Sequence, residues 1–315
     1  MADANLVEAL ELTRYYADRR AVDKLSFSLG RGEVLGFLGP NGAGKSTTMQ
    51  MLCGVLAPSH GGIRIAGIDL LEDPVAAKRL IGFLPEQPPL YPELTVDEYL
   101  RYCARLKRIP RDRAAAALDT AKQRCGLTDT GSRLIGNLSK GYQQRVGIAQ
   151  AIIHSPQVVV LDEPTVGLDP LQIREIRELI RELGRDHGVI LSTHILTEVQ
   201  MTCNRVQIMH EGKLVYSDAL SRLSDRLHAG SLVAAFGRAP DTAILQGIPG
   251  VTTVETLEPG RLRIHFDAQN NPAEQVVRMS VERNWRLQEL TPDSRTLEQV
   301  FMELTATDHG GGGNS

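Results

Sequence analysis

No stretch of this chain approaches the ~18 consecutive apolar residues that a spanning helix needs, so it is not expected to cross a membrane by itself. The opening "MADANLVEALELTRYY" has neither a basic start nor an apolar core, which argues against a signal peptide. Cysteine is scarce: four residues, at 53, 103, 125 and 203, with no C-x-x-C spacing. Metal-ligand and disulfide frameworks are thereby excluded, and reduced, buried thiols in a cytosolic protein are the expectation. Excess charge of one sign is also missing. A formal net charge of -3 gives no reason to expect nucleic acid as the main partner. There is no internal repeat and no heptad pattern. What is present, 315 residues of which 42% are hydrophobic, suffices for one large domain and a small one.

Apolar runs alternate with helical patterns over the first two-thirds. "GEVLGFLG" (32–39), "QVVVLDEP" (157–164) and "GVILSTH" (188–194) are continuous apolar stretches bounded by turn residues, as suits strands buried on both faces of a parallel sheet. "GKSTTMQMLCGVL" (44–56) reads as a helix. A helix-rich stretch at about 95–155 includes "TVDEYLRYCARLKR" and the alanine-rich "RDRAAAALDTAKQRC". It reads as a helical insertion in an α/β core covering 1–220. Beyond it, "SDALSRLSDRLHAG" reads as a helical connector. "SLVAAF", "TTVETLEPGRLRIHF", "AEQVVRMSVERNW" and "TLEQVFMELTA" then read as strand, hairpin, helix and closing helix of a small α+β domain, 221–306. The glycine-rich residues 307–315 are expected to be disordered.

"GPNGAGKST" (39–47) fits G-x-x-x-x-G-K-[ST] and sits between a strand and a helix, where that motif acts as a phosphate loop. Gly39, Gly42 and Gly44 let the backbone curl its N–H groups inward, with Asn41 and Thr47 in the same nucleotide-binding stretch. The helix that follows adds its positive end. Lys45 reaches for the outer phosphates of a nucleotide, and Ser46 offers a hydroxyl to Mg²⁺. "VVVLDEPT" (158–165) ends a strand in two carboxylates whose side chains alternate in direction. Asp162 suits the metal and Glu163 suits the attacking water. A lone histidine is more often structural than catalytic. His194, however, ends a strand at the sheet edge where open α/β sheets bind ligands, and there it can donate to a terminal phosphate.

"NLSKGYQQRV" (137–146) begins a helix with a bare, positively biased end. Ser139 is a good N-cap, the first N–H groups have no partner within the helix, and their partial charge favours an anion. Val146, Ala149, Ile152 and Ile153 give that helix one face to bury. On its own, "GLDP" (167–170) passes as a helix start with Pro170 in the first turn.

In this order, the phosphate loop, "LSKGYQQR", "VVVLDEPT", "GLDP" and "STH" resemble the ATP-binding cassette (ABC) ATPases over residues 5–217. The resemblance implies a P-loop NTPase fold and hydrolysis of ATP with Mg²⁺. It also implies a head-to-tail dimer in which Lys45, Glu163 and His194 of one copy meet Ser139 and Gly141 of the other, with Asp169 crossing the interface. Tyr16 or Tyr15 stacks on adenine, and the register before "AVDKLSF" favours Tyr16. The sequence departs from the family pattern in three places. Lys140 and Tyr142 replace the third and fifth residues of LSGGQ. Glu86 follows Pro85 where the family often has the metal-contacting glutamine, with Gln87 next.

"LPEQPPLYPELTV", "LSKGYQQRVGIAQA" and the tail "TLEQVFMELT" are similar to ATPases of ABC-2-type exporters, particularly gliding-motility-like and copper-maturation-like members. This implies two copies working with a separate ABC-2-type transmembrane permease, peripheral on the inner face of the cell membrane. It also implies that the groove in which the permease docks lies around Phe83–Leu106. The alternative is a non-transport ABC ATPase of nucleic-acid repair or translation. Its usual marks, coiled-coil arms, zinc insertions and paired cassettes in one chain, are missing, and no direct nucleic-acid contact is expected. A small-molecule kinase sharing only the phosphate loop leaves "LSKGYQQR" unexplained.

Overall fold

The computed structural model describes residues 5–223, 230–267 and 270–293. The chain divides into two compact units, Met1–Leu220 and Ser221–Ser315. The first runs β1 (Val7–Tyr16), β2 (Arg19–Leu29), β3 (Val34–Leu38), α1 (Lys45–Leu52), β4 (His60–Ile65), β5 (Ile68–Asp69), α2 (Pro74–Arg79) and β6 (Ile81–Leu84). It continues through α3 (Val96–Leu106), α4 (Arg111–Arg124), α5 (Lys140–Ile152), β7 (Val158–Asp162), α6 (Pro170–Asp186), β8 (Gly188–Thr193), α7 (Leu196–Thr202), β9 (Arg205–His210) and β10 (Lys213–Ala219).

The main sheet has the order β10-β9-β3-β8-β7-β6, all pairs parallel except β10 with β9. Every residue of β3, β7 and β8 is buried, which is why their sequences are apolar runs up to the polar residues that end β7 and β8. Parallel pairing also aligns their C-terminal ends: Leu38 lies opposite Thr193, and Asp162 opposite Ser192. The phosphate loop, the acidic pair and His194 therefore leave the sheet at one edge. A second, antiparallel sheet has the order β2-β1-β4-β5. Helix α1 contacts β2 of this sheet and β7 and β8 of the other. Met49, Met51 and Leu52 lie in a core shared with Leu12, Leu25 and Phe37, where the rings of Phe27 and Phe37 meet edge-on at 5.0 Å.

Helices α3, α4 and α5 pack on one another, and α5 lies against β6 and β7. The approach to β6 is close: a Cβ on Gly82 would stand 2.1 Å from the carbonyl oxygen of Ala151, so only glycine permits it. The expected face of α5, with Val146, Ala149, Ile152 and Ile153, is buried, and the burial extends beyond it. Gly147, Ile148 and Ala151 are buried along with Val146, Ala149 and Ile152, because sheet and neighbouring helices enclose the helix beyond its first turns.

Just after α5, His154 places Nε2 3.1 Å from the carbonyl oxygen of Ile81, which also accepts from Lys107 Nζ at 3.2 Å. Its Nδ1 is buried without a partner among the described residues. Burial, and then the nearby Lys107 charge, push the imidazole pKa from 6.5 down to about 4. Between these values the unfolded chain takes up a proton that the folded chain refuses. Stability therefore falls as pH drops from 6.5 to 4, by at most about 3 kcal/mol from this residue. His154→Gln is expected to flatten that part of the stability–pH curve in urea titrations. An unchanged curve would contradict the assignment.

All four cysteines are free and buried. Burial raises the thiol pKa of Cys53 and Cys203 and takes that of Cys125 to about 12, so these thiols stay protonated and unreactive.

The second unit is a four-stranded antiparallel sheet, β11 (Ser231–Phe236), β12 (Val251–Glu258), β13 (Arg261–Phe266) and β14 (Leu287–Pro292), in the order β12-β13-β11-β14. Helices α8 (Thr242–Gln246) and α9 (Ala273–Glu282) contribute Leu245 and Val276 to its core, around Phe236 and Trp285. Strand, hairpin and helix stand where the sequence places them, whereas α8 and β14 have no counterpart in that reading. The connector reading for 217–230 is partly overturned: Ser217–Ala219 belong to β10, residues 220–223 are helical, and 224–229 lie outside the described residues. The closing helix and the glycine-rich end also lie outside them.

Candidate functional site

Residues 39–44 loop from β3 into α1. Gly44 is the N-cap of α1 at φ 104, and no side chain caps the helix. A Cβ on Gly44 would stand 2.5 Å from the carbonyl oxygen of Ala21, so position and conformation both require glycine. Gly42 also has a positive φ, 82. The bare first turn has no acidic residue, leaving its N–H groups and positive dipole end available to an anion. Lys45 is only 5% exposed. Its ammonium donates to the carbonyl oxygens of Gly39 (2.8 Å) and Pro40 (3.2 Å) and stands 3.5 Å from Glu163 Oε1.

Asp162, the last residue of β7, and Glu163, just past it, engage different partners. Ser46 Oγ donates to Asp162 Oδ1 at 3.2 Å, and the Ser192 hydroxyl donates to the same oxygen. Glu163 has φ 47, a left-handed conformation uncommon outside glycine. Its N–H is held there by Ser192 Oγ (3.1 Å) and the Ser192 carbonyl (3.2 Å). Its carboxylate lies 3.1–3.2 Å from His194 Nδ1. Lys45, Glu163 and His194 thus form one contact chain, with the histidine side chain 43% exposed at its outer end.

These groups open on a cavity of about 630 Å³ lined by Asn41, Gly42, Gly44, Lys45, Ser46, Thr47, Glu86, Glu163, His194 and Tyr16. Arg19, Ala21 and Val166 complete the lining. Tyr16 carries the Arg14 guanidinium 5.1 Å above its ring, whereas Tyr15 packs edge-on against His60. Glu86, not Gln87, faces the cavity. Ser139, Gly141 and Asp169 do not line it. Ser139 is exposed and caps α5 through Tyr142 N (3.4 Å). Gly141 is buried against the Gln172 side chain. Asp169 caps α6 through Gln172 N (2.9 Å).

A glycine cradle, a buried cation and a hydroxyl–carboxylate pair at one sheet edge fit a nucleotide with its metal. Ser46 and Asp162 offer hard oxygen donors of the kind Mg²⁺ takes together with phosphates and water. Among the described residues no cluster of histidine, cysteine and carboxylates forms a metal cage. Arg19 and Val166 carry no signal in the sequence, one being a charged residue at the start of β2 and the other a valine in a turn. Ser192 has one: with Thr193 it ends a fully buried, otherwise apolar strand in hydroxyls.

Such a site on such a sheet defines a P-loop NTPase. The sequence profile described as ABC transporter matches residues 22–166. The bacitracin transport ATP-binding protein BcrA of Bacillus licheniformis is 31% identical over 96% of this chain and 97% of its own length. An uncharacterized ABC transporter ATP-binding protein of Bacillus subtilis (strain 168), YhcH, is 39% identical over 95% and 96%. A solved ATP-binding subunit of an ABC transporter superposes with TM-score 0.64 at 32% identity, over 70% of this chain and 92% of the other. The chain belongs to the ATP-binding proteins of ABC transporters and is an ATPase of that family.

Proposed function

We propose that the protein is the ATP-hydrolysing subunit of an ABC-2-type exporter. In this reading it dimerises head to tail on ATP and drives a separate permease, to which it is bound at the inner face of the cell membrane. One observation carries the shared site: the cavity gathers Tyr16, the phosphate loop, Glu163 and His194, while Ser139, Gly141 and Asp169 stand away from it in the same chain. A second copy, turned head to tail, supplies them. The exposed N-terminus of α5 then meets the terminal phosphate, and the loop ending at Asp169 crosses between sites.

Within one site, the loop amides and Lys45 hold the phosphates. Ser46 and Asp162 would hold Mg²⁺, with Glu86 at the rim. When bound, that metal neutralises phosphate charge and orients the transferred group. Glu163 takes the proton of the attacking water on its carboxylate. His194, now on Glu163 through Nδ1, has its other nitrogen for the terminal phosphate. Among the described residues no helix is long and apolar enough to cross a membrane, which accords with a separate permease. A role in transport is supported by likeness to BcrA, named for bacitracin transport; export as the direction rests on the sequence likeness to ABC-2-type exporters.

Lys45→Ala is expected to weaken ATP binding about 10- to 100-fold, the cost of a charged hydrogen-bonding group. Titration with a fluorescent ATP analogue measures this, and full affinity in the variant would remove the phosphate-loop assignment. The transporter reading is tested by tagging Glu163→Gln, adding ATP and Mg²⁺, and identifying what co-purifies from gently solubilised membranes. A multi-helix permease is expected. Ribosomes, DNA or no membrane partner would move the protein to the non-transport class.

A further inference from the structure

Glu198 on α7 is 2% exposed, an unusual place for a carboxylate. It is fully engaged: the Thr165 hydroxyl donates to Oε1 at 2.6 Å and the Thr193 hydroxyl to Oε2 at 2.9 Å. Arg177 of α6 stands 3.9 Å from Oε1. Thr193 Oγ1 in turn accepts from the N–H of Ile195, closing a turn around His194. Thr165 lies two residues after Glu163 and is itself buried. The chain between Thr165 and Asp169 is a short surface loop, stiffened where Leu168 N donates to the Thr165 carbonyl at 3.3 Å.

One carboxylate thus grips both strand-end segments of the site, one carrying Glu163 and leading to Asp169, the other carrying His194. Neither threonine lines the cavity. Burying this charge is costly, and it is tolerated because two hydroxyls and a guanidinium surround it. Simpler packing would have been served by an apolar side chain at position 198.

We infer that Glu198 is a positioning residue that locks the Glu163–Asp169 segment to the His194 turn, so that catalytic carboxylate, histidine and interface loop move as one body when the ATP site closes. This rests on the reading of Glu163 and His194 given above. A rigid link lowers the entropy lost on assembling the reacting groups and acts on turnover more than on nucleotide affinity. Glutamine at 198 can accept from only one threonine, and Thr165→Val removes one donor while keeping the side chain's shape.

The test is steady-state hydrolysis by Glu198→Gln, Thr165→Val, the double variant and Thr165→Ser, each checked for folding by thermal melting. Each of the first two should lower kcat about 10- to 100-fold, the typical cost of losing an outer partner that orients a reacting group. KM for ATP should hold. The double variant should fall no further than the worse single one, and Thr165→Ser should recover most of the turnover lost in Thr165→Val. Wild-type kcat in both single variants would overturn the inference. So would a loss that merely follows the folded fraction and is not rescued by serine. Glu163→Gln, assayed alongside, separates the two readings. If it alone is inactive, only the positioning inference falls; if it keeps full turnover, the site assignment falls and takes the inference with it.

Discussion

In Glu163→Gln, ATP hydrolysis is expected to drop by on the order of 10²–10⁴-fold, the range for loss of a general base. Glutamine keeps the shape of the side chain and can still meet His194 Nδ1, which lies 3.1 Å from Glu163 Oε2. It cannot take a proton from water. It also removes a negative charge 3.5 Å from the Lys45 ammonium, freeing that cation for the phosphates. Affinity for ATP should therefore be retained or improved while turnover is lost, and bound ATP should persist through gel filtration. Phosphate release and retained nucleotide, measured on one sample, check both halves. Unchanged turnover would remove Glu163 as the base.

The second large effect is expected at Ser139, which touches no part of the cavity in its own chain. Ser139→Arg sets a long cation on an exposed N-cap. Loss of the bond to Tyr142 N costs about 1 kcal/mol of local stability. If that were all, hydrolysis would barely change. The shared site instead predicts a loss of at least about 10²-fold, because the arginine obstructs the amide donors that a partner's phosphate needs. Nucleotide binding to the single chain should be untouched. Ser139→Ala separates the causes, since it removes the cap without the bulk. Equal turnover in Ser139→Arg and the unmodified protein would mean that each chain completes its own site.

The elements most legible in the sequence were those whose pattern follows from burial alone. Strands β3, β7 and β8 are enclosed on both faces and so read as apolar runs. The phosphate loop was legible because its glycines are imposed by backbone contacts, as at Gly44. The antiparallel sheet was not read. Its pairing of β1 with β2 shifts register between Ala9 and Leu12 and again at Leu12 and Arg14, with Glu11 and Lys24 at positive φ. Each bulge resets the alternation that marks a half-buried strand. Strand β14 was missed because none of its residues is fully buried. Glu198 was invisible for the opposite reason: an acidic residue in "LTEVQ" looks solvated until α7 is seen to carry it under the Thr165 and Thr193 hydroxyls.

If ATP joins two copies of this chain by completing their sites, sedimentation equilibrium of Glu163→Gln should give 34.5 kDa without nucleotide and twice that mass with ATP and Mg²⁺. A mass of 34.5 kDa at ATP concentrations that saturate the cavity would contradict it.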